Sequence, residues 1–199
     1  STDGIGKGAA LKFANEGHTV YIHGRSKAKV DKVVTEIKEA SKNTNIKGLV
    51  ADFSDLKAVK IFAAEIKKEV PVIDVLVNNA GVFKSSVEKT KEGLDLRMVV
   101  NYLAPIVFTN GILSNITNAQ SPRIINLSSA AQSPVLEAVL TGKEQVSDNN
   151  SYAQSKLAFT MWSFYFAKQH QNITTIAVNP GSLLNTNMVK EKSKLLQTV

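Results

Sequence analysis

The chain has no cysteine among its 199 residues, so disulfide bonds and cysteine-ligated zinc sites are excluded. No apolar stretch reaches the ~20 residues that a membrane-spanning helix needs. Internal repeats, low-complexity segments and linkers are absent too, which predicts one domain over residues 1–199. The lack of cysteine is typical of a reducing compartment, and we expect a cytoplasmic protein without a membrane span.

The net charge of +7 comes from lysines that are spread along helical patterns, as in residues 27–42 and 57–68, with Asp and Glu among them. Because this spacing forms no compact basic stripe, we predict no nucleic-acid partner. A solvated surface accounts for most of the charge. The excess favours anionic ligands such as a phosphorylated cofactor.

Short apolar segments alternate with longer segments of helical periodicity, an order typical of βαβ units and a parallel sheet. The pattern predicts strands over residues 18–23, 47–51, 72–77, 123–127 and 173–178. It predicts helices over residues 5–15, 27–40, 56–68, 94–115 and 151–170. Asp55 is a candidate N-cap of the third helix. The fold class is therefore α/β with a doubly wound parallel sheet.

Tyr152 and Lys156 are four residues apart in a predicted helix, so their side chains share one face and can meet over one substrate. A free tyrosine loses its proton near pH ~10 and is a poor acid or base at neutrality. A lysine cation beside it favours the phenolate and lowers the pKa of the tyrosine. The alternative is an exposed Tyr and Lys on an ordinary surface helix.

A glycine turn, Gly4-Ile5-Gly6, stands where a loop enters the first predicted helix. Glycine lets main-chain N–H groups approach a pyrophosphate, and a helix N-terminus favours its negative charge. The turn alone is weak evidence of nucleotide binding, but the βα pattern that follows strengthens it. No strand precedes the turn, and we expect the chain to lack a first strand and a C-terminal end.

The chain resembles the short-chain dehydrogenase/reductase family over essentially its whole length. Four motifs in the family's order carry the resemblance: Gly4-Ile5-Gly6, Asn78-Asn79-Ala80-Gly81, Tyr152 to Lys156, and Pro180-Gly181. The resemblance implies a single Rossmann-type domain with three α/β/α layers. It also implies dimers or tetramers that form through the fourth and fifth helices.

The resemblance implies a catalytic group of four residues. Tyr152 is the general acid in carbonyl reduction and the base in alcohol oxidation, and Lys156 lowers its pKa and holds the nicotinamide ribose. Ser129, rather than Ser128, hydrogen-bonds the substrate oxygen. Its position at a strand's carboxyl end is where ligands bind in α/β sheets, although a serine that merely ends the strand is the alternative.

Asn101 matches the family's asparagine, which a water links to the catalytic lysine. Its carbonyl would accept the N–H of residue 105 in a regular helix, but Pro105 has no N–H. The carbonyl of Asn101 is therefore expected to be free at a kink and available to a water in a proton relay. The alternative is that Pro105 only bends the helix.

Cofactor choice depends on the turn after the second family strand, which reads His23-Gly24-Arg25-Ser26. An acidic side chain there selects NAD, whereas arginine accommodates a 2′-phosphate. Arg25 therefore favours NADP(H), with NAD(H) still possible and an ordinary loop arginine as the alternative. Asp52 resembles the residue that contacts adenine, or is a simple turn aspartate.

Other cofactor contacts follow from the resemblance alone. Asn78 is expected beside the adenosine, and Thr186, one residue later than the common spacing, at the nicotinamide carboxamide. The remaining predicted contacts are Gly4, Ile5, Gly6, Ala80, Gly81, Tyr152, Lys156, Pro180 and Gly181. His18 and His170 give no indication of a metal site, and we predict none.

The segment over residues 130–150, together with Gln154-Ser155-Lys156-Leu157-Ala158, resembles the retinol-dehydrogenase-like branch, which favours lipophilic alcohols and carbonyls. The sequence thus predicts an NADP(H)-dependent oxidoreductase that acts on a small carbonyl or alcohol substrate. The alternative function is a dinucleotide-binding sensor or scaffold that uses the same fold without catalysis.

Overall fold

The computed structural model describes residues 1–181, and these fall into two compact units over residues 1–52 and 53–181. Both units combine parallel strands with helices, which confirms the predicted α/β class. The prediction of a single domain stays a prediction. Thr186 lies outside the described residues. None of the described helices has the length and hydropathy needed to span a bilayer.

The first unit contains two βα pairs that share one apolar core. Its elements are α1 (Gly4–Asn15), β1 (Val20–Gly24), α2 (Lys27–Ser41) and β2 (Ile46–Val50). Strands β1 and β2 are parallel neighbours. The core joins residues of both strands and both helices: Ala10, Ala14, Ile22, Val33, Ile37 and Ile46. Their spacing at three or four positions along each helix buries one face of it.

The second unit contains a parallel sheet of three strands in the order β3-β4-β5. These strands are β3 (Val75–Asn78), β4 (Arg123–Leu127) and β5 (Thr174–Val178). The pairing sets Asn78 opposite Asn126, and Leu127 opposite Val178. The carboxyl ends of the three strands therefore lie at the same edge, which is the edge that binds ligands in α/β sheets.

Helix α3 (Leu56–Glu69) opens the second unit, and Asp55 caps it as the sequence predicts. The Asp55 carboxylate accepts the N–H groups of Lys57 and Ala58 at 2.8 and 3.1 Å. A Cβ atom on Gly111 would lie 2.6 Å from the Cβ of Ala63. Only glycine permits such a close approach between α3 and the helix that contains Gly111.

The predicted helix over residues 94–115 is interrupted. It divides into α4 (Leu96–Met98), a π-helical turn (Val99–Leu103), α5 (Ala104–Gly111) and α6 (Leu113–Thr117). The N–H of Ala104 donates to the carbonyl of Val99, five residues earlier, immediately before Pro105. The missing N–H of proline therefore produces a π turn at this place, where the sequence predicted a kink.

The segment over residues 130–150 contains a short helix, α7 (Glu137–Leu140), which the sequence pattern did not predict. Helix α8 (Asp148–Gln169) follows it and begins three residues before the predicted start at residue 151. Ser147 accounts for the earlier start, because its side chain accepts the N–H of Asn150 as an N-cap.

Candidate active site

Tyr152 lies in the first turns of α8 and is only 9% exposed. The ring of Phe83 packs edge-on against the Tyr152 ring, with the centroids 5.0 Å apart. Burial raises the pKa of Tyr152 above its ordinary value, and a hydrogen bond from the Ser129 side chain partly offsets this effect. The phenol consequently holds its proton at neutral pH.

Lys156 lies one turn further along α8 and is almost completely buried. Its ammonium group donates to the carbonyl of Leu127 at 2.7 Å, at the end of β4. The same nitrogen is 5.8 Å from the centroid of the Tyr152 ring. Burial lowers the pKa of Lys156 to about 8, so the side chain still carries its charge at neutral pH.

The expectation that Lys156 draws the pKa of Tyr152 toward neutrality is wrong for this structure. Burial is the largest influence on the phenol and acts in the opposite direction. The ammonium group of Lys156 is directed at the Leu127 carbonyl. What the structure does bring together is a protonated phenol, a serine hydroxyl and a cation on the next helical turn.

The two serines after β4 have different partners. The Ser128 hydroxyl lies 2.5 Å from that of Thr160 on α8, and the Thr160 hydroxyl in turn donates to the main chain of Lys156. Ser129 instead bonds the Tyr152 side chain and accepts the N–H of Ala131 at 3.1 Å. Of the two serines, Ser129 is therefore the one that contacts Tyr152, and its predicted bond to a substrate oxygen stays a prediction.

Asn101 lies in the π-helical turn, and its side chain joins the loop after β3 to helix α8. Its Oδ1 accepts the N–H of Val82 at 2.7 Å, and its Nδ2 donates to the Val82 carbonyl at 3.0 Å. Nδ2 also donates to the Ser155 hydroxyl at 3.0 Å, which itself donates to the Tyr152 carbonyl. Sequence reasoning missed Val82 and Ser155. The predicted water at the Asn101 carbonyl stays a prediction.

Gly81 lies against the side chains of Asn101 and Lys156. A Cβ atom there would be 3.5 Å from Oδ1 of Asn101 and 3.6 Å from Nζ of Lys156. The preceding Ala80 belongs to the same half-buried loop. Any side chain at position 81 would therefore occupy the space beside the lysine ammonium, where the resemblance expects the cofactor ribose.

Asn78 ends β3, and its side chain belongs to a buried polar network. The Asn78 amide donates to the Thr109 hydroxyl at 3.1 Å and to Oδ1 of Asn126 at 2.8 Å. The amide of Asn126 continues the chain to the Ser163 hydroxyl at 2.9 Å. These bonds account for a polar side chain inside the sheet, and the predicted contact of Asn78 with adenosine stays a prediction.

The loop after β5 starts at the same edge of the sheet. Gly181 has a φ of +83°, in the region that favours glycine, and its N–H donates to Oδ1 of Asn179 at 3.2 Å. Pro180 between them fixes its own backbone and offers no donor. The Pro180-Gly181 motif therefore closely follows the strand whose last residue, Val178, accepts the N–H of Ser128 at 2.8 Å.

The first unit holds the other predicted cofactor residues, and their geometry fits a dinucleotide phosphate. Gly4 has a φ of +52° at the N-terminus of α1, and Asp3 caps that helix through the Gly4 N–H at 2.8 Å. Ile5 and Gly6 continue its first turn. Such a turn presents main-chain N–H groups at the positive end of a helix dipole, as a pyrophosphate requires.

The turn after β1 fits a second anionic group. Arg25 is exposed and directly follows Gly24, where a Cβ atom would be 2.7 Å from Cγ2 of Thr2. Only glycine fits at that position, and the chain then presents the arginine to solvent. Asp52, just after β2, is also exposed. The exposed Arg25 guanidinium is therefore available to an anionic group of a dinucleotide.

A buried charged cluster beside Tyr152 was not predicted. Arg97 is only 1% exposed and lies among Asp95, Asp148 and the main chain of Phe83. An arginine inside the otherwise apolar run of residues 96–100 was the signal that could have shown it, since a buried cation needs partners.

Parallel α/β sheets with polar side chains at the carboxyl edge define a Rossmann-like fold, and comparison with known proteins specifies it. The sequence profile described as short chain dehydrogenase matches residues 1–196. The chain belongs to the short-chain dehydrogenase family.

Two similar proteins illustrate this relationship. Polyprenol dehydrogenase of Homo sapiens is 31% identical over 199 residues, which cover 95% of this chain and 60% of the human protein. Retinol dehydrogenase 12 of Mus musculus is 32% identical over 186 residues, which cover 92% of this chain and 59% of the mouse protein. The chain thus spans about 60% of the length of these curated relatives.

A solved structure supports the fold independently. The crystal structure of an actinorhodin polyketide ketoreductase variant with NADPH matches with a TM-score of 0.75. The match covers 99% of this chain and 73% of the ketoreductase, at 23% sequence identity. At that identity the likeness shows the fold alone.

Proposed function

We propose that the protein is an NADP(H)-dependent oxidoreductase that moves a hydride between nicotinamide and a carbonyl or alcohol carbon. The observation that carries this proposal is the group formed by Tyr152, Ser129 and Lys156. The phenol is bonded by the Ser129 side chain, and a lysine cation lies on the next turn of the same helix. Each of the three has a distinct role in moving one proton to or from a substrate oxygen.

Tyr152 is the proton donor in the reducing direction. Its raised pKa keeps the phenol protonated at neutral pH, so it can transfer that proton to an oxygen that gains negative charge. Ser129 polarises the same oxygen with its hydroxyl, in the manner of an oxyanion-hole donor. In the oxidising direction only ionised Tyr152 can accept the proton from the alcohol, so the raised pKa favours reduction at neutral pH.

Lys156 and Asn101 support this transfer. The Lys156 cation, on the next turn of α8, attracts the phenolate that remains after Tyr152 gives up its proton. Burial outweighs this attraction, so the pKa of Tyr152 still lies above its ordinary value. The Asn101 side chain holds the Val82 main chain against α8, which keeps Gly81 beside the lysine. The nicotinamide, when bound, supplies or accepts the hydride.

The cofactor would be held by residues of the first unit. Gly4, Ile5 and Gly6 at the N-terminus of α1 suit the pyrophosphate, and Arg25 suits a 2′-phosphate. The related ketoreductase structure contains NADPH, which is consistent with this choice. NADP(H) is therefore the preferred cofactor in the proposal.

The substrate class in the proposal is a lipophilic alcohol or the matching carbonyl compound. The names of the two relatives, polyprenol and retinol dehydrogenase, both refer to isoprenoid alcohols. Leu136, in the segment before α8, is exposed and so available to an apolar ligand. The predicted dimer or tetramer and the cytoplasmic location stay predictions.

The proposal is tested with the full-length protein, NADPH or NADH, and a panel of short-chain, isoprenoid and retinoid aldehydes. Loss of NADPH absorbance reports turnover. We expect Tyr152→Phe to lower kcat by at least about 100-fold while the Kd of NADPH stays close to wild type. Tyr165→Phe is the matched control, because Tyr165 is on the same helix and 64% exposed.

Two results would contradict the proposed function. Wild-type kcat in Tyr152→Phe would remove Tyr152 from the chemistry. Tight NADPH binding without turnover of any aldehyde would favour the alternative, a dinucleotide-binding sensor or scaffold. Arg25→Ala tests the cofactor separately: we expect it to raise the KM for NADPH and leave that for NADH nearly unchanged.

A further inference from the structure

Arg97 is almost completely buried, and its side chain contacts three segments of the second unit. Its Nε donates to the carbonyl of Phe83 at 2.7 Å, in the loop after β3. Nη1 is 3.6 Å from Oδ2 of Asp95, at the start of α4. Nη2 is 2.5 Å from Oδ1 of Asp148, in the first turn of α8. One guanidinium group thus makes a hydrogen bond to the loop and ion pairs with residues at the starts of α4 and α8.

Asp95 reinforces the same junction from the other side. Its Oδ1 accepts the main-chain N–H groups of Arg97 and Met98, which caps α4. The same oxygen accepts the Ser151 hydroxyl at 2.5 Å. Ser151 immediately precedes Tyr152, so the aspartate fixes the turn of α8 from which the tyrosine projects.

Phe83 carries the effect of Arg97 to the phenol. The arginine bonds the main-chain carbonyl of Phe83, and the side chain of Phe83 packs edge-on against the Tyr152 ring. Phe83 is itself only 5% exposed, so its ring has little freedom to turn away once its main chain is fixed. Both sides of Tyr152, its helix and its packing partner, are therefore held by one side chain.

We propose that Arg97 is a positioning residue for Tyr152, acting through the carbonyl of Phe83 and the first turn of α8. The inference rests on the proposed function, in which Tyr152 transfers the proton. The ion pairs of a buried cation such as Arg97 are by themselves weak evidence for stability, because its desolvation offsets much of the attraction. The position of Arg97 gives a reason for burying a cation despite this cost, because only the planar guanidinium fork of arginine reaches three segments at once.

The experiment compares Arg97→Lys with wild type in the full-length protein labelled with 3-fluorotyrosine. Lysine keeps the positive charge that Asp95 faces but loses the fork, so it cannot hold all three partners. The ¹⁹F resonance of Tyr152 is assigned by its absence in Tyr152→Phe. Its chemical shift depends on the position of the adjacent Phe83 ring. Phe83→Leu gives the resonance position without that ring. Arg123→Lys is the matched control, because Arg123 is exposed at the start of β4.

We expect Arg97→Lys to move the Tyr152 resonance toward its position in Phe83→Leu, and Arg123→Lys to leave it in place. The kcat should fall by about 100-fold, as expected for a misplaced catalytic group, with little change in the Kd of NADPH. The double variant should lose little more than Phe83→Leu alone, because both changes act on one contact.

An unmoved Tyr152 resonance in Arg97→Lys would overturn the inference, as would fully additive losses in the double variant. If Arg97→Lys does not fold, Asp148→Asn removes one charged partner of Arg97 at a half-exposed position, and an unmoved Tyr152 resonance there would equally overturn the inference. The resonance is read without any substrate. Failure of the proposed function, seen as no turnover in wild type, is therefore distinguishable from failure of this inference.

Discussion

The side-chain amide of Asn78 donates to the side-chain oxygen of Asn126 at 2.8 Å, directly across from it in the β3–β4 pairing. The network continues to Thr109 on one side and to Ser163 of α8 on the other. A row of hydrogen-bonded polar side chains therefore crosses the sheet near the carboxyl ends of β3 and β4. It fixes α8, and with it Tyr152 and Lys156, against the strands.

Asn126→Leu tests this row. Leucine has nearly the same size, but it removes one bond from the buried amide of Asn78 and one from the Ser163 hydroxyl. We expect the free energy of unfolding in urea to fall by about 2 kcal/mol or more. Asn118→Leu is the control, because Asn118 is exposed at the end of α6 and the same change there should cost little. Equal losses in both variants would contradict the account.

The two serines after β4 give a sharper test of the site. Ser129→Ala removes the hydroxyl that bonds Tyr152, and we expect kcat to fall by about 100-fold. Ser128→Ala removes only a bond to Thr160, so it should lower stability slightly and leave kcat close to wild type. Steady-state kinetics with one aldehyde substrate separate the two, and a larger loss in Ser128→Ala would reverse their assignment.

Much of the fold follows from local pattern. The apolar stripe of α2 and the Asp55 cap of α3 are sequence signals that the structure confirms. Where the sequence pattern predicted the helices incorrectly, the cause is local and does not show in the periodicity. Pro105 announces a disturbed helix, but its missing N–H is equally compatible with a kink or a π turn, and packing decides between them. Helix α7 is too short for a periodic pattern to show.

The candidate site was predictable in its membership but not in its electrostatics. Spacing places Tyr152 and Lys156 on one helix face, yet it says nothing of Phe83, which comes from a distant loop and buries the phenol. That burial outweighs the lysine and raises the pKa of the tyrosine. The partners of Arg97 are likewise distant in sequence, so only the folded chain reveals them.

His23 makes the stability of the first unit depend on pH. It is largely buried at the end of β1, and its ring Nε2–H donates to the carbonyl of Ala51 at 2.9 Å. Burial lowers the pKa of His23 from 6.5 to about 4. Between these values the unfolded chain binds a proton that the folded protein does not, so stability falls as the pH falls through this window.

The matched variant is His23→Gln, which keeps an N–H donor for Ala51 but does not titrate. We expect the free energy of unfolding of wild type, relative to this variant, to drop by about 2 kcal/mol between pH 7 and pH 4.5. Urea unfolding at several pH values measures the difference. If the unfolding free energies of wild type and His23→Gln change in parallel over this pH range, His23 binds its proton equally in the folded and unfolded chain.

Lys156 gives a second pH window, which has the same sign as that of His23 but lies at higher pH. Burial lowers its pKa from 10.5 to about 8, so between these values the unfolded chain holds a proton that the folded protein has released. Stability that depends on Lys156 should therefore rise as the pH rises from about 8. Lys156→Met removes the titration and keeps a long apolar side chain. The comparison is made in the Tyr152→Phe background, because the phenol of Tyr152 also titrates at high pH and would obscure the lysine.

Relative to the methionine variant, the lysine protein should gain about 2 kcal/mol between pH 8 and pH 10. The loss of the bond to the Leu127 carbonyl is a constant offset between the two and does not alter this slope. A flat difference would mean that Lys156 keeps its proton in the folded protein up to its ordinary pKa. The buried ammonium would then have to be stabilised by more than the Leu127 carbonyl.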